Sequence, residues 1–264
     1  MHHDMNSSPI LLFDGPQAKG TAAPNRTRLF YFCAAACLLA LMFLGFQQFY
    51  LHGKAFPNRE LAPPIRTLLI LHGIGMSSWV LLFLVQPLLI VAGNRRVHMM
   101  LGRIGAALAA GIVILGFQLG IEATRISPPD MQIWGLGPKQ FMAVPIIGIT
   151  VFAAYVLIGV WNRRQPEVHR PVMLLATLAA MPAAVSRIDF ISALYHGTLW
   201  ETVFGPFFGT LVVGAFFLLL KCLLTRSLNR CFAIGYAGLV VSSALIMQLA
   251  TSRAWDQFAS FLLS

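Results

Sequence analysis

Residues 29–50, LFYFCAAACLLALMFLGFQQFY, form an uncharged and largely apolar run. Six more apolar runs follow at 67–92, 100–120, 140–161, 171–190, 203–224 and 231–250. A helix rises about 1.5 Å per residue, so a run of about 20 residues matches the hydrocarbon thickness of a bilayer. Only a structure that satisfies its own backbone can cross that layer, and an α-helix does so within a single segment. The pattern therefore predicts an all-α polytopic integral membrane helix bundle of seven transmembrane helices, occupying residues 28–254. Residues 1–27 are polar and turn-rich and read as a flexible cytoplasmic tail, and 255–264 as a short outer C-terminal tail. The first run is too long for a signal-peptide core and lacks a polar cleavage region after it, so it reads as a retained span.

Composition agrees with this reading. The chain of 264 residues is 58% hydrophobic and 11% charged, where a soluble domain carries about 25% charged residues. The net charge of +10 does not point to nucleic acid, because the basic residues cluster between the apolar runs, where they report topology. With the N-terminus inside, twelve of the nineteen Lys and Arg residues fall on the inner side. The expected arrangement is thus N-terminus cytoplasmic and C-terminus outside, in a bacterial cytoplasmic membrane. The partners this implies are the lipid bilayer, other membrane proteins or further copies of the chain. Cys33, Cys37, Cys222 and Cys231 form no C-x-x-C pair and read as reduced, packed thiols.

Three inner turns carry a similar signature: Asn94-Arg95-Arg96, Asn162-Arg163-Arg164 and Asn229-Arg230, spaced 68 and 67 positions apart. One helix followed by three similarly oriented hairpins would produce that spacing, and parallel repeats of this kind occur in transporters. Helices of bilayer length joined by basic turns would produce it without duplication. The small residues Gly102, Ala106 and Ala110, at four-residue spacing, predict a close helix contact. Pro145, Pro182 and the Gln86-Pro87 pair predict kinks within spans.

Histidines carry the candidate chemistry. His98 and His169 open the third and fifth spans on the same predicted side, so two imidazoles could converge on one metal or on opposite faces of one haem. Hydrogen bonds to headgroups or loop carbonyls would explain them equally well. His72 lies about two turns into the second span, where an ionisable group usually faces the protein interior. Met76 follows one turn later, and an imidazole with a thioether at i and i+4 suits copper. His196 lies beyond the fifth span and is a further candidate cofactor ligand. An alternative uses His72, Glu122, Arg187 and Asp189 as the lining of an outward-facing polar pocket in a small-molecule transporter or receptor. Glu122 and Arg125, spaced i,i+3, also suit a simple surface pair. Lys221, at the end of the sixth run, is poorly placed for a retinal Schiff base. The sequence contains no phosphate-binding glycine loop, no H-E-x-x-H and no G-x-S-x-G, and no catalytic residues are assigned.

LHGIGMSSWVLLFLVQPLLIVAGNRRVHMMLGRIG, at 71–105, and PEVHRPVMLLATLAAMPAAVSRID, at 166–189, resemble bacterial multi-pass membrane proteins grouped only as a domain of unknown function. The resemblance covers about residues 67–190, with His72, Trp79, Gln86, His98, Gly102, His169 and Arg187 as its landmarks. It implies a helical membrane fold and supplies no activity. The functional expectation is therefore binding of haem or copper for electron transfer or cofactor assembly. The alternatives are the outer-pocket transporter or receptor and a non-catalytic assembly factor.

Overall fold

The computed structural model describes residues 22–56 and 59–264. Of the tail expected at 1–27, residues 1–21 lie outside those described, and its last residues are already helical, since α1 begins at Ala22. The first helix, α1 (Ala22–Gly45), leads into a short α2 (Gln47–His52) and two paired strands, β1 (Lys54–Phe56) and β2 (Arg59–Glu60). Two long helices follow, α3 (Arg66–Val91) and α4 (Arg95–Arg125). A one-turn α5 (Pro138–Phe141) precedes α6 (Ala143–Trp161), and then α7 (Pro166–Ala179) returns. Three short helices cross the far end: α8 (Pro182–Val185), α9 (Asp189–Ser192) and α10 (Leu199–Phe204). The chain finishes with α11 (Phe208–Thr225), α12 (Arg230–Ala250) and α13 (Arg253–Leu263).

Among the described residues, six helical segments are long and apolar enough to cross a membrane: Arg26–Gly45, Pro63–Val91, Arg95–Arg125, Pro138–Trp161, Leu199–Thr225 and Arg230–Ala250. Large apolar side chains such as Ile114, Leu157, Leu219 and Ile234 point outward from them, as expected of surfaces that face lipid.

The expected fifth span, 171–190, is not a single helix. It breaks at Met181-Pro182 into α7 and α8, because proline removes the amide that the preceding turn needs. Its 14 residues make α7 about 21 Å long, short of a full bilayer crossing. It is also the most enclosed helix: Pro171, Val172 and every residue from Leu174 to Ala179 are buried. Helices α1, α6, α11 and α12 surround it. Trp79 of α3 reaches this centre, donating from Nε1 to Thr177 Oγ1 at 3.3 Å and meeting the Phe152 ring edge-on at 5.1 Å.

Close packing of α4 uses a different stripe from the one expected. Gly102 and Ala110 are exposed, whereas Gly105, Ala109, Gly116 and Gly120 are buried. Leu82 packs onto Gly105, Ile149 onto Gly116 and Ile146 onto Gly120. The helix carries two sets of small residues, and only contact with α3 and α6 selects between them.

The three asparagines of the inner turns do not share one role. Asn94 and Asn229 cap the starts of α4 and α12, accepting from Val97 N at 3.2 Å and Phe232 N at 2.8 Å. Asn162 instead closes α6, donating from Nδ2 to the Ile158 carbonyl at 2.8 Å. The turn after α3 closes through Gly93, whose φ of +72° suits the left-handed end of a helix. The short C-terminal tail expected at 255–264 lies mostly within the amphipathic α13 (Arg253–Leu263). Trp255 Nε1 donates to the Lys139 carbonyl at 2.9 Å, and Lys139 pairs with Asp256 at 2.7 Å, fixing this helix against α5.

Gly45 shows how tightly the break is held. A Cβ at this position would collide with the Ala184 carbonyl oxygen, a contact with backbone that no rotamer change relieves. Gly45→Ala is expected to destabilise the protein by about 1–3 kcal/mol, seen as a lower Tm in detergent. An unchanged Tm would contradict the close approach of α1 to α8.

Candidate functional site

One end of the bundle collects the starts of α1, α4, α7 and α12 and the ends of α3, α6 and α11. Long-range contacts join these elements: Asn229 Nδ2 reaches the Glu167 carbonyl at 3.2 Å, and Lys221 Nζ reaches Tyr31 Oη at 2.9 Å. His98 and His169 both lie at this end. The Asn94 cap sets His98 in the first turn of α4. Pro166, at the first position of α7, suits a turn whose amides have no intrahelical partner and places His169 one turn into that helix.

His169 Nδ1 hydrogen-bonds the Gly159 carbonyl at 2.8 Å. A carbonyl only accepts, so Nδ1 carries the proton and Nε2 of the neutral ring keeps its lone pair. This bond also braces the hairpin between α6 and α7. Met173 lies one turn after His169, and its sulfur would meet a Cβ at Gly159 at 2.5 Å. Across the junction, the His98 ring faces the backbone of Gln86 and lies within electrostatic range of His169. His98 Nδ1 and Gln86 Oε1 are both buried without a hydrogen-bond partner. Arg95 acts on the His98 ring and Arg170 on the His169 ring. Thus two imidazoles from different helices lie within electrostatic range of one another, each with a guanidinium group nearby. Among the described residues, no three His, Cys, Asp or Glu side chains gather into a metal-ligand set.

The remaining expected ligands lie elsewhere. His72 packs at Gly116 of α4 beside Ile149, about 27 Å along that helix from His98 at 1.5 Å per residue. Its Nδ1 is buried without a partner, so the interior position expected from the sequence is observed. Met76 packs against the apolar core. His196 sits at the opposite end, 77% exposed, with Nδ1 3.0 Å from Glu201 Oε1. The length of α4 separates it from the His98–His169 pair, so it cannot share a cofactor with them.

The outer-pocket set also fails to assemble. Glu122 and Arg125 pair with each other at 2.7 Å, each 43% exposed. Asp189 is exposed at the start of α9, and Arg187 lies over the Phe46 ring at 4.8 Å and donates to the Ala183 carbonyl. Tyr195, stacked on Trp134 at 5.9 Å and buried to 2% exposure, fills the space beside them. Burial pushes its phenol up to about 12, so it remains neutral across physiological pH.

The sequence reading missed three residues at the basic end. Gln86 stands in the sequence only as part of the Gln86-Pro87 kink, and its position beside His98 depends on the α3–α4 register. Met173 was hidden among the apolar residues of α7, although its i+4 spacing from His169 was legible. Lys221 was read as one more topological charge, yet it is 5% exposed. A lone lysine within FFLLLKCLL was the signal.

The two histidines should differ in structural weight. His169→Ala removes a formed hydrogen bond and should cost about 0.5–1.5 kcal/mol of stability even without a cofactor. His98→Ala removes a ring whose Nδ1 has no hydrogen-bond partner and whose remaining polar contact is with the Gln86 backbone, and should cost less. Tm values of the two variants, measured on protein free of haem and copper, check this ordering; the reverse order would contradict the Gly159 bond.

In comparisons with known proteins, no family model, no curated protein and no solved structure matched this chain.

Proposed function

We propose that the chain is a bacterial cytoplasmic-membrane protein that holds haem between His98 and His169, for electron transfer or cofactor assembly. The observation supporting this is that two imidazoles from different helices lie at one end of the bundle within electrostatic range of each other. His169 is oriented through one nitrogen by a backbone carbonyl, and a buried nitrogen of His98 has no partner. Ligating histidines are commonly fixed in this way, through a hydrogen bond at the nitrogen that does not ligate. If haem is bound, these two imidazoles would be the side chains that hold its iron. The flanking Arg95 and Arg170 favour haem over a bare cation, because they oppose added positive charge and suit anionic propionates. Copper(I) is the second reading, favoured by the soft Met173 sulfur beside Gly159.

The topology proposed with this site has seven crossings, the fifth made by α7 and α8 together. A broken crossing is tolerable where protein rather than lipid surrounds it, and the burial of α7 and α8 meets that condition. The concentration of Arg at the histidine end supports placing that end, and the N-terminus, in the cytoplasm.

Oxidised and reduced visible spectra of the detergent-purified protein, with metal analysis of the same sample, test the site. A haem spectrum lost in both His98→Ala and His169→Ala is expected. Stoichiometric copper without haem would select the second reading. A colourless and metal-free protein, after expression with ample haem and copper, would sink both. For orientation, a C-terminal alkaline phosphatase fusion should be active and a C-terminal fluorescent-protein fusion dark; the opposite pattern would invert the topology.

A further inference from the structure

Beside the histidine pair, at the same end, a cleft of about 790 Å³ opens between α1, α7 and the α11–α12 turn. Its wall includes Arg26, Lys221, Arg226 and Arg230, together with Thr225 and Asn229. Glu167 is the acidic residue on that wall, and its Oε2 is already 3.3 Å from Asn229 Nδ2. Four cations therefore face the cleft against one carboxylate. Among the described residues, none of the four forms an ion pair within 4.0 Å.

Lys221 is the informative member. Its side chain is buried to 5% exposure, and its ammonium donates to Tyr31 Oη at 2.9 Å while lying 5.3 Å and 5.6 Å from the Tyr31 and Phe232 ring centroids. An ammonium has three donors and is costly to bury without a counter-charge. The phenol and the two rings offset part of that cost. Arg226 has a second peculiarity. It ends α11 with φ +51°, a conformation that glycine adopts more readily. The αL residue sets the chain into the turn that carries Arg226 and Arg230 to the same cleft.

We propose that this cleft binds a phosphate group, with Lys221 at its floor and Arg26, Arg226 and Arg230 around its mouth. Guanidinium groups bind phosphate through paired hydrogen bonds, and lysine adds a point charge. The threonine hydroxyl and the asparagine amide are compatible neighbours for its oxygens. The phosphate has two possible sources, the headgroup of an anionic phospholipid or a free phosphate solute. Leu223 and Leu228, 76% and 60% exposed near the cleft, offer apolar surface suited to acyl chains. This site does not depend on the haem reading, since it shares none of the proposed ligands.

The test uses the full chain in a neutral detergent at constant ionic strength. Tm is measured during titration with inorganic phosphate, with short-chain phosphatidylglycerol and with phosphatidylcholine of the same chain length. Wild-type protein is expected to be stabilised by phosphate, by phosphatidylglycerol or by both. Phosphatidylcholine should have a smaller effect, because its headgroup adds a cation. Stabilisation by both agents identifies the phosphate group itself. A response to phosphatidylglycerol alone selects the lipid headgroup, and a response to phosphate alone selects a solute. In either case Lys221→Met and Arg226→Gly should weaken the response by about tenfold or more in concentration. Methionine retains the packing of the lysine stem, and glycine relieves the backbone at 226, so both variants are expected to fold. Absence of any response in wild-type protein, or a response unchanged in both variants, would overturn the site. A phosphatidylcholine effect equal to that of phosphatidylglycerol would overturn charge recognition.

Discussion

The enclosure of α7 is the constraint on which the rest of the bundle depends. This helix is short, its continuation is broken at Pro182, and from Pro171 to Ala179 every side chain but Met173 is buried. Its broken end could not face hydrocarbon, because freed carbonyls have no solvent there. The neighbouring helices supply that shelter, and their small residues allow the approach. Gly45 lets α1 close on the Ala184 backbone, Gly159 accommodates Met173, and Gly214 and Gly235 receive Tyr236 and the Leu175 side chain respectively. Trp79 then joins α3 to this centre through Thr177 and Phe152.

The same enclosure positions the chemistry. His169 stands at the start of α7, so the packing that buries the helix also brings that ring to the α6 carbonyl and into range of His98. The end of α7 that carries Glu167 and Arg170 faces the α11–α12 turn, where Asn229 both caps α12 and bonds Glu167. Two features of unlike character therefore sit side by side at one end. One is a pair of neutral-nitrogen donors, and the other is a cleft rich in fixed positive charge. A polar group at this depth is retained only where a partner or a ligand compensates it, which is why both features invite a functional reading.

The opposite end shows the contrast. Glu122 with Arg125, Lys139 with Asp256 and His196 with Glu201 satisfy one another locally, and aromatic rings occupy the space between. Tyr195 meets Phe208 edge-on, and Phe208, Trp200 and Phe204 stack in succession there. Their polar neighbours close turns and dock α13, and do not converge on a common centre.

Much was legible before any coordinates. The helical class follows from run length and from the need of a spanning segment to satisfy its own backbone, and both are properties of the sequence. Asn94 and Asn229 were readable as landmarks of basic turns because capping is local chemistry. The proline break at 182 was readable for the same reason. What sequence alone left open are relations between helices. Gly102 and Gly105 are equally small, and only the facing Leu82 decides which stripe of α4 is buried. His98, His169 and His196 are equally plausible ligands in one dimension, and the direction of α4 separates the third from the first two. Lys221 looks like a topological charge until Tyr31, 190 residues earlier, is found bonded to it. The sequence by itself determined that this chain makes apolar helices and where they begin, cap and break, because those outcomes depend on neighbours within a few turns. The tertiary structure alone decided which polar side chains meet, because that depends on the rotation and register of helices far apart in the chain.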